Sequence, residues 1–263
     1  MLTQIQKCLP KDHPWRDQIL YLDATDSTND QAKKLIAQGA PHGTVIIADR
    51  QTAGRGRLGR SFSSPAGMGV YMSVILRLKQ TPDQLMHLTC ASAVAACDAV
   101  EKAAKFRLGI KWTNDLVFGG RKLAGILTEL VIQNGETAAI IGIGVNCAQT
   151  EADFPPEIQS FAGSLSMACG HDVSRSEVAA ALIEAFAKTA SNLQKKQALL
   201  DTYRRDCITL DKQISLQKSG EIRHGYARDI DGSGALIVEF SDGHTEAVNA
   251  GEVSVRGMYG YCP

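Results

Sequence analysis

Three arginines alternate with three glycines through Gly54-Arg55-Gly56-Arg57-Leu58-Gly59-Arg60, directly after Gln51-Thr52-Ala53. Each guanidinium is a planar, permanently charged donor fork suited to a carboxylate or a phosphate. The glycines permit positive φ and let backbone N–H groups come close to a ligand, as a mobile loop would. The run is neither GxxxxGK[ST] nor a strand-linked GxGxxG, so it is not a P-loop or a Rossmann turn. On its own it is equally a solvated basic loop or an RG segment for single-stranded nucleic acid. Segments of the latter kind usually repeat and interleave aromatics, and this one does neither.

Two further groups could do chemistry. Lys111-Trp112-Thr113-Asn114-Asp115-Leu116 is followed by Gly120-Arg121-Lys122-Leu123-Ala124-Gly125-Ile126-Leu127. Asp115 could hold Mg2+ on a nucleotide, because hard oxygen ligands suit that ion. Lys122 could neutralise charge developing on a carboxylate or phosphate. The plainer alternative is a cross-strand Lys–Asp ion pair, or turn residues. The third group is Gly142-Ile143-Gly144-Val145-Asn146. A glycine pair in a strand marks close approach, by a ligand or by a neighbouring strand. Asn146 either faces a site or caps a turn.

Elements must position these groups. Ile19–Leu22 reads as a strand, and Ser27 with Asp30 as a loose capping box for a helix carrying Ala32, Leu35 and Ile36. Thr44–Ala48 and Met68–Leu78 read as strands around the irregular, Gly/Arg/Ser-rich residues 50–67. A helix is predicted from Pro82 to Ala104, with the proline in its first turn. Strands follow over Phe106–Trp112, Asp115–Phe118, Lys122–Ile132 and Thr137–Val145, joined by hairpin turns at Gly119-Gly120 and Asn134-Gly135. Residues 148–173 read as loop, and Ser176–Arg205 as one long helix. Beyond Asp206, short alternating strands are separated by turns at Ser219-Gly220, Asp231-Gly232, Asp242-Gly243 and Asn249-Ala250-Gly251. Hairpins among helices predict an α+β domain with a mixed or antiparallel sheet over 1–207. Residues 208–263 have the size and pattern of a compact SH3-like β-barrel.

Lys plus Arg equals Asp plus Glu at 28 each in 263 residues, so bulk charge gives no reason to expect a nucleic-acid or membrane partner. No window approaches the ~20 apolar residues that cross a bilayer, and the first fifteen or so residues lack a signal-peptide core. The seven cysteines, from Cys8 to Cys262, form no CxxC or Cys/His cluster. Scattered thiols fit a reducing compartment, and the cytoplasm is expected by default.

The sequence resembles the biotin protein ligases. DSTN (Asp26–Asn29), QTAGRGRLGR (Gln51–Arg60), KWTNDL (Lys111–Leu116), RKLAGIL (Arg121–Leu127) and GIGVN (Gly142–Asn146) occur in that family's order and spacing. The likeness implies a catalytic domain like that of class II tRNA synthetases, with the family's small terminal β-domain. It implies an enzyme that uses ATP and Mg2+ to activate biotin as biotinyl-5'-AMP. Biotin would then pass to a lysine of a biotin carboxyl carrier protein domain. By the same resemblance Ser27, Thr28, Asn29 and Gln51 line the biotin ureido pocket, with Gly54, Gly56 and Gly125 around the ligand. Arg55 and Arg57 grip the acyl phosphate, Arg60 adds a cation, and Lys122 meets the biotin carboxylate and then the adenylate. Trp112, Asn114 and Asn146 serve the nucleotide, and Asp115 the metal. Thr113 stands where the family usually has proline, which implies a less rigid turn. Leu58 replaces a frequent arginine, which implies that arginine is dispensable.

Lipoate–protein ligase is the nearest competing enzyme, and it is expected to lack the glycine–arginine loop. A biotin-responsive repressor would need a DNA-binding module. Only about twenty residues precede the first strand, too few for a helix-turn-helix domain. Neutral charge counts against a general nucleic-acid binder. Open strand edges leave room for a side-by-side homodimer.

Overall fold

The computed structural model describes residues 1–78, 85–133, 135–218, 220–249 and 252–255. Its main sheet is built from β1 (Ile19–Thr25), β2 (Thr44–Gln51), β3 (Gly69–Leu78), β4 (Gly109–Lys111), β5 (Asp115–Phe118), β6 (Arg121–Gln133) and β7 (Glu136–Asn146). The order is β1-β2-β3-β7-β6-β5-β4. β1 and β2 run parallel because α2 (Thr28–Ala37) carries the chain back between them, and the other neighbours are antiparallel. The sheet is therefore mixed, as expected, with helices on both faces.

Strand alternation decides what each face offers. Val70, Met72, Val74 and Leu76 of β3 join Ala139, Ile141, Ile143 and Val145 of β7 in the larger core. That core is covered by α1 (Leu2–Cys8), α3 (Leu85–Ala104), α5 (Arg175–Ser191) and α6 (Lys196–Asp206). Each fully buried large aliphatic there contributes roughly 1.5–3 kcal/mol. The other face is covered in part only: Ala32 and Ile36 of α2 pack on Ile46, Ile75, Ala138 and Ile140. The remainder of that face is the floor of the site.

Several boundaries differ from the sequence expectation. Ser27 is the N-cap of α2, but its side chain makes no capping bond. Asp26, rather than Asp30, takes the N-cap N–H, accepting from Ser27 N at 2.7 Å, and Asp30 turns outward to Lys33 and Arg55. The expected strand over Phe106–Trp112 shortens to three residues, and β2 runs on to Gln51. The single helix over Ser176–Arg205 is two, because Asn192 folds its amide back onto Lys188 O at 2.8 Å. A side chain that bonds local backbone competes with helix continuation. The freed carbonyl of Leu193 accepts from His87 Nε2 of α3 at 3.2 Å. Residues 148–173 include α4 (Leu165–Cys169), capped by Ser164. α1 was not foreseen; it anchors through Ile5, and Trp15 packs on Gly43, where a Cβ would lie 2.1 Å from the indole.

The terminal unit is a five-stranded antiparallel sheet of order β11-β10-β9-β8-β12. Its strands are β8 (Lys212–Lys218), β9 (Glu221–Ile230), β10 (Leu236–Phe240), β11 (Thr245–Val248) and β12 (Glu252–Val255). Its turn at Asp231-Gly232 is an Asx turn, with Asp231 Oδ1 accepting from Ser233 N and Ala235 N. Gly119, Gly120, Gly135 and Gly243 take the positive φ expected of hairpin turns. Pro82, Asn134, Ser219, Ala250, Gly251 and Cys262 lie outside the described residues. No helix among the described residues is long and apolar enough to cross a membrane.

Candidate active site

Register places one row of residues across six strands on the α2 face: Ala48, Tyr71, Gly144, Gly125, Asp115 and Lys111. Two positions along, Ser73, Gly142 and Leu127 share that face. Both glycines line the cavity, and the close approach at each is made by a side chain. A Cβ on Gly142 would lie 2.1 Å from Asn29 Oδ1, and one on Gly144 would lie 2.4 Å from the Phe62 ring. Above this floor opens a cavity of about 500 Å³.

One end of the cavity is a closed polar pocket. Thr28 N and Oγ1 donate to Gln51 Oε1 at 2.8 and 3.2 Å, and Gln51 Nε2 donates to Ser64 Oγ at 2.9 Å. Ser73 Oγ lies 2.8 Å from Thr28 Oγ1 and 2.6 Å from Asn29 Oδ1. Asn29 Nδ2 donates to Glu129 Oε2 at 2.8 Å. Ser27, Thr28 and Asn29 are all buried, and these bonds fix the orientation of Thr28 and Asn29. Ser73 and Glu129 were missed in the sequence. Each is a polar residue inside an apolar strand, which was the available signal.

The glycine–arginine run is a tight hairpin rather than an irregular loop. Phe62 N donates to Gly54 O at 2.8 Å and Gly56 N to Arg60 O at 2.7 Å. Leu58 at φ 56° and Gly59 at φ 75° form its tip. Gly54 does not line the cavity; it is buried 2.4 Å (from its would-be Cβ) below Phe62 O. Arg55, Gly56, Arg57 and Arg60 do line it. Arg55 is ion-paired with Asp30 at 2.5 Å and Glu129 at 3.2 Å, and Lys33 reaches the same Glu129 at 2.8 Å. Burial pushes the Glu129 carboxyl up, but the bonds from Lys33 and Asn29 and the charges of Lys33 and Arg55 outweigh it. Its pKa ends below the usual value. Arg57 Nη1 donates to Thr113 Oγ1 at 2.5 Å and Asn114 Oδ1 at 2.9 Å.

The opposite wall carries Lys122, whose Nζ is 2.5 Å from Asp115 Oδ1. The cross-strand ion pair and the cavity position are thus both real. Gly125 leaves the space that Lys122 crosses, since a Cβ there would lie 3.1 Å from Lys122 Cε. Lys122 N donates to Phe161 O at 2.7 Å and Gly163 N to Lys122 O at 2.9 Å, which seats Phe154, Ile158 and Phe161 as an apolar wall. Asn146 faces the cavity and also braces this wall through Gly163 O at 3.0 Å. Trp112 lines the cavity, with its indole N–H spent on Gly234 O of the terminal sheet at 3.1 Å. The Trp112–Thr113 peptide is cis, and Thr113 is buried. Cys147 lies buried nearby, and burial raises its thiol to about 12, so it stays protonated. Among the described residues no three His, Cys, Asp or Glu side chains gather to hold a metal. The cavity therefore offers a hydrogen-bonded polar pocket, arginines on the hairpin at its rim and a lysine on its opposite wall. That set can orient a polar head group and offset several negative charges at the other end.

Comparison with known proteins follows this geometry. Residues 21–146 match the biotin/lipoate A/B protein ligase family, and residues 209–256 match the biotin protein ligase C-terminal domain. The chain is 35% identical to the bifunctional ligase/repressor BirA of Bacillus subtilis, over 86% of this chain and 70% of that one. It is 34% identical to the biotin–[acetyl-CoA-carboxylase] ligase of Paracoccus denitrificans, over 90% of this chain and 100% of the relative. Among solved structures, the biotin protein ligase of Aquifex aeolicus in complex with biotin and ATP superposes with a TM-score of 0.78 at 28% identity. That match covers 90% of this chain and 98% of the other.

Proposed function

The chain belongs to the biotin protein ligase family, and on that premise we propose how its cavity makes biotinyl-5'-AMP and passes biotin to a carrier lysine. The observation that carries the assignment of sites is the division of the cavity. A hydrogen-bonded polar pocket lies at one end, bordered by Glu129 and its partner Arg55, and Arg57 and Lys122 stand around the other. Ser27, Thr28, Asn29 and Gln51 take the ureido ring, which has both donors and acceptors to match theirs. Gly125 and Gly56 border the ligand, and Gly54 acts by letting the hairpin close on itself.

In the first step a biotin carboxylate oxygen attacks the α-phosphorus of ATP, a P–O bond forms, and the bond to pyrophosphate breaks. Carboxylate and triphosphate repel each other, and Lys122, Arg55, Arg57 and Arg60 offset that repulsion. Trp112, Asn114 and Asn146 border the nucleotide. Mg2+, if bound with the nucleotide, would supply further charge neutralisation, and Asp115, the carboxylate paired with Lys122 at the cavity wall, would be the residue to hold it. In the second step the carrier's neutral lysine amine attacks the acyl carbon, AMP leaves, and an amide forms. No enzyme nucleophile is needed.

The partner is a biotin carboxyl carrier domain of a carboxylase. We further propose that residues 1–207 form the catalytic domain and residues 208–263 a terminal domain. We also propose action in the cytoplasm without nucleic acid, and pairing of two copies through open sheet edges. The six described cysteines are free, which suits a reducing compartment. The deciding experiment offers labelled biotin and labelled lipoate in parallel to a purified carrier domain with ATP. Transfer of biotin alone is expected; transfer of lipoate alone would overturn the reading.

A further inference from the structure

Neither Ser73 nor Glu129 lines the cavity itself; each stands behind a residue that does. Counting protons along these contacts gives the chain a direction. Asn29 Nδ2 has two hydrogens, and they meet two groups that only accept, Glu129 Oε2 at 2.8 Å and Leu127 O at 3.3 Å. Lys33 Nζ at 2.8 Å and Arg55 at 3.2 Å take the other carboxylate oxygen, which leaves Oε2 to the amide. Asn29 Oδ1 is therefore the atom turned to Ser73 Oγ, 2.6 Å away, and the serine proton must point to it. Ser73 has no second proton for Thr28 Oγ1 at 2.8 Å, so the threonine proton goes chiefly to Ser73. The longer contact of Thr28 Oγ1 with Gln51 Oε1, at 3.2 Å, is its minor arm, and Gln51 Oε1 mainly accepts from Thr28 N at 2.8 Å. Thr28 and Gln51 thus keep oxygen lone pairs to offer at the cavity lining. Turning the Asn29 amide over would reverse each step, with Ser73 donating to Thr28 and Thr28 to Gln51.

We propose that Glu129 is a positioning residue for the polar pocket: by holding the Asn29 amide in one sense it sets, through Ser73, the direction of donation and leaves Thr28 and Gln51 as acceptors. This rests on the reading of the pocket as the seat of the ureido ring, whose two N–H groups need acceptors. An acceptor-only group at the far end of the chain is what the order requires. A neutral amide in its place could face either way, and the order would no longer be set.

The test exchanges the roles of two side chains. Glu129→Gln keeps the shape, but Lys33 and Arg55 claim its one oxygen, and its amide N–H2 then meets that of Asn29. Biotin affinity, read by calorimetric titration, is expected to fall roughly 5- to 50-fold, the range for a hydrogen bond to a charged group. KM for ATP should stay within about twofold, because only the polar pocket is disturbed. Asn29→Asp alone sets two carboxylates face to face and should bind at least as weakly. With both substitutions together the new glutamine donates to the new aspartate, which still accepts from Ser73, and affinity should return to within about fivefold of the parent. Additive losses in the double variant overturn the proposal, because bulk and not direction would then be at work. So does parent-like affinity of Glu129→Gln. If Glu129→Gln melts early, Ser73→Ala breaks the chain one link on, with a loss of roughly 3- to 10-fold expected and parent-like affinity overturning. The amide is also read directly by nuclear magnetic resonance of isotope-labelled protein. In Glu129→Gln the Asn29 amide protons should show much stronger Overhauser contacts to the Ser73 β-protons than in the parent, and an identical pattern overturns the proposal. A parent protein that binds no biotin defeats the functional reading instead, and those contacts still decide the amide.

Discussion

Arg55 and Arg57 are two residues apart, yet they reach different acceptors. Arg55 pairs with two carboxylates, and among the acceptors of Arg57 are a hydroxyl and an amide oxygen. The residue types were legible in the sequence, because a cationic run in a neutral protein stands out. The partners were not, because Glu129 lies far along the chain and only the sheet register brings it near. Lys122 was legible for the same reason as the arginines, and its partner Asp115 was one of two alternatives. Lys122→Ala is expected to slow adenylate formation by roughly 10²–10³, the usual cost of removing a preorganised charge donor. Biotin-dependent pyrophosphate exchange measures it, and a near-parent rate would reject the assignment. Arg57→Gly is expected to leave activation possible, though slower, and to release biotinyl-adenylate roughly 10- to 100-fold faster, the range for a charged hydrogen-bonding group. Release without carrier measures that, and unchanged retention would count against it.

Strands and hairpins β5 to β7 were readable because alternation and Gly turns are local signals. The division between α5 and α6 was not, because Leu193 and Leu200 continue the apolar spacing across it and the cause is one amide folding back at Asn192. His87 seals the break. Burial lowers its pKa, the bond to Leu193 O opposes that, and the charge of Lys196 adds to it. Its Nδ1 is buried with no hydrogen-bond partner among the described residues. The unfolded chain therefore binds more protons than the folded one just below the ordinary histidine pKa of about 6.5, and stability falls as pH drops through that window. His87→Gln keeps a donor for Leu193 O and does not titrate. Its urea midpoint should change less between pH 7.5 and pH 5.5 than the parent's, and an equal change would remove His87 from the account. Strand β7 carries the other prediction at this scale. Gly142→Ala pushes a methyl into Asn29 and should cost about 1–3 kcal/mol as overpacking. It should also weaken biotin binding, because Asn29 loses its seat between Ser73 and Glu129. Calorimetric titration with unchanged affinity would contradict this.

The catalytic sheet and the terminal sheet are joined at the segment that carries Trp112. Ile208 N donates to Ile110 O at 2.9 Å, Thr209 accepts from Trp112 N, and Trp112 donates to Gly234 O. The α+β class and a terminal β unit were legible from pattern, but this junction was not, since none of its bonds has a sequence signature. Because the joint is buried and hydrogen-bonded throughout, the two sheets are expected to unfold together. The chain has two tryptophans, and the other, Trp15, is buried against Gly43. Trp15→Phe thus leaves one indole, at the junction. Its emission in urea should trace the same curve as far-ultraviolet circular dichroism, and two separate midpoints would show independent units. That same indole lines the cavity. A single-tryptophan chain would therefore be an optical probe with two readings, quenching or shifting when a nucleotide arrives beside it and turning red when the joint opens to water.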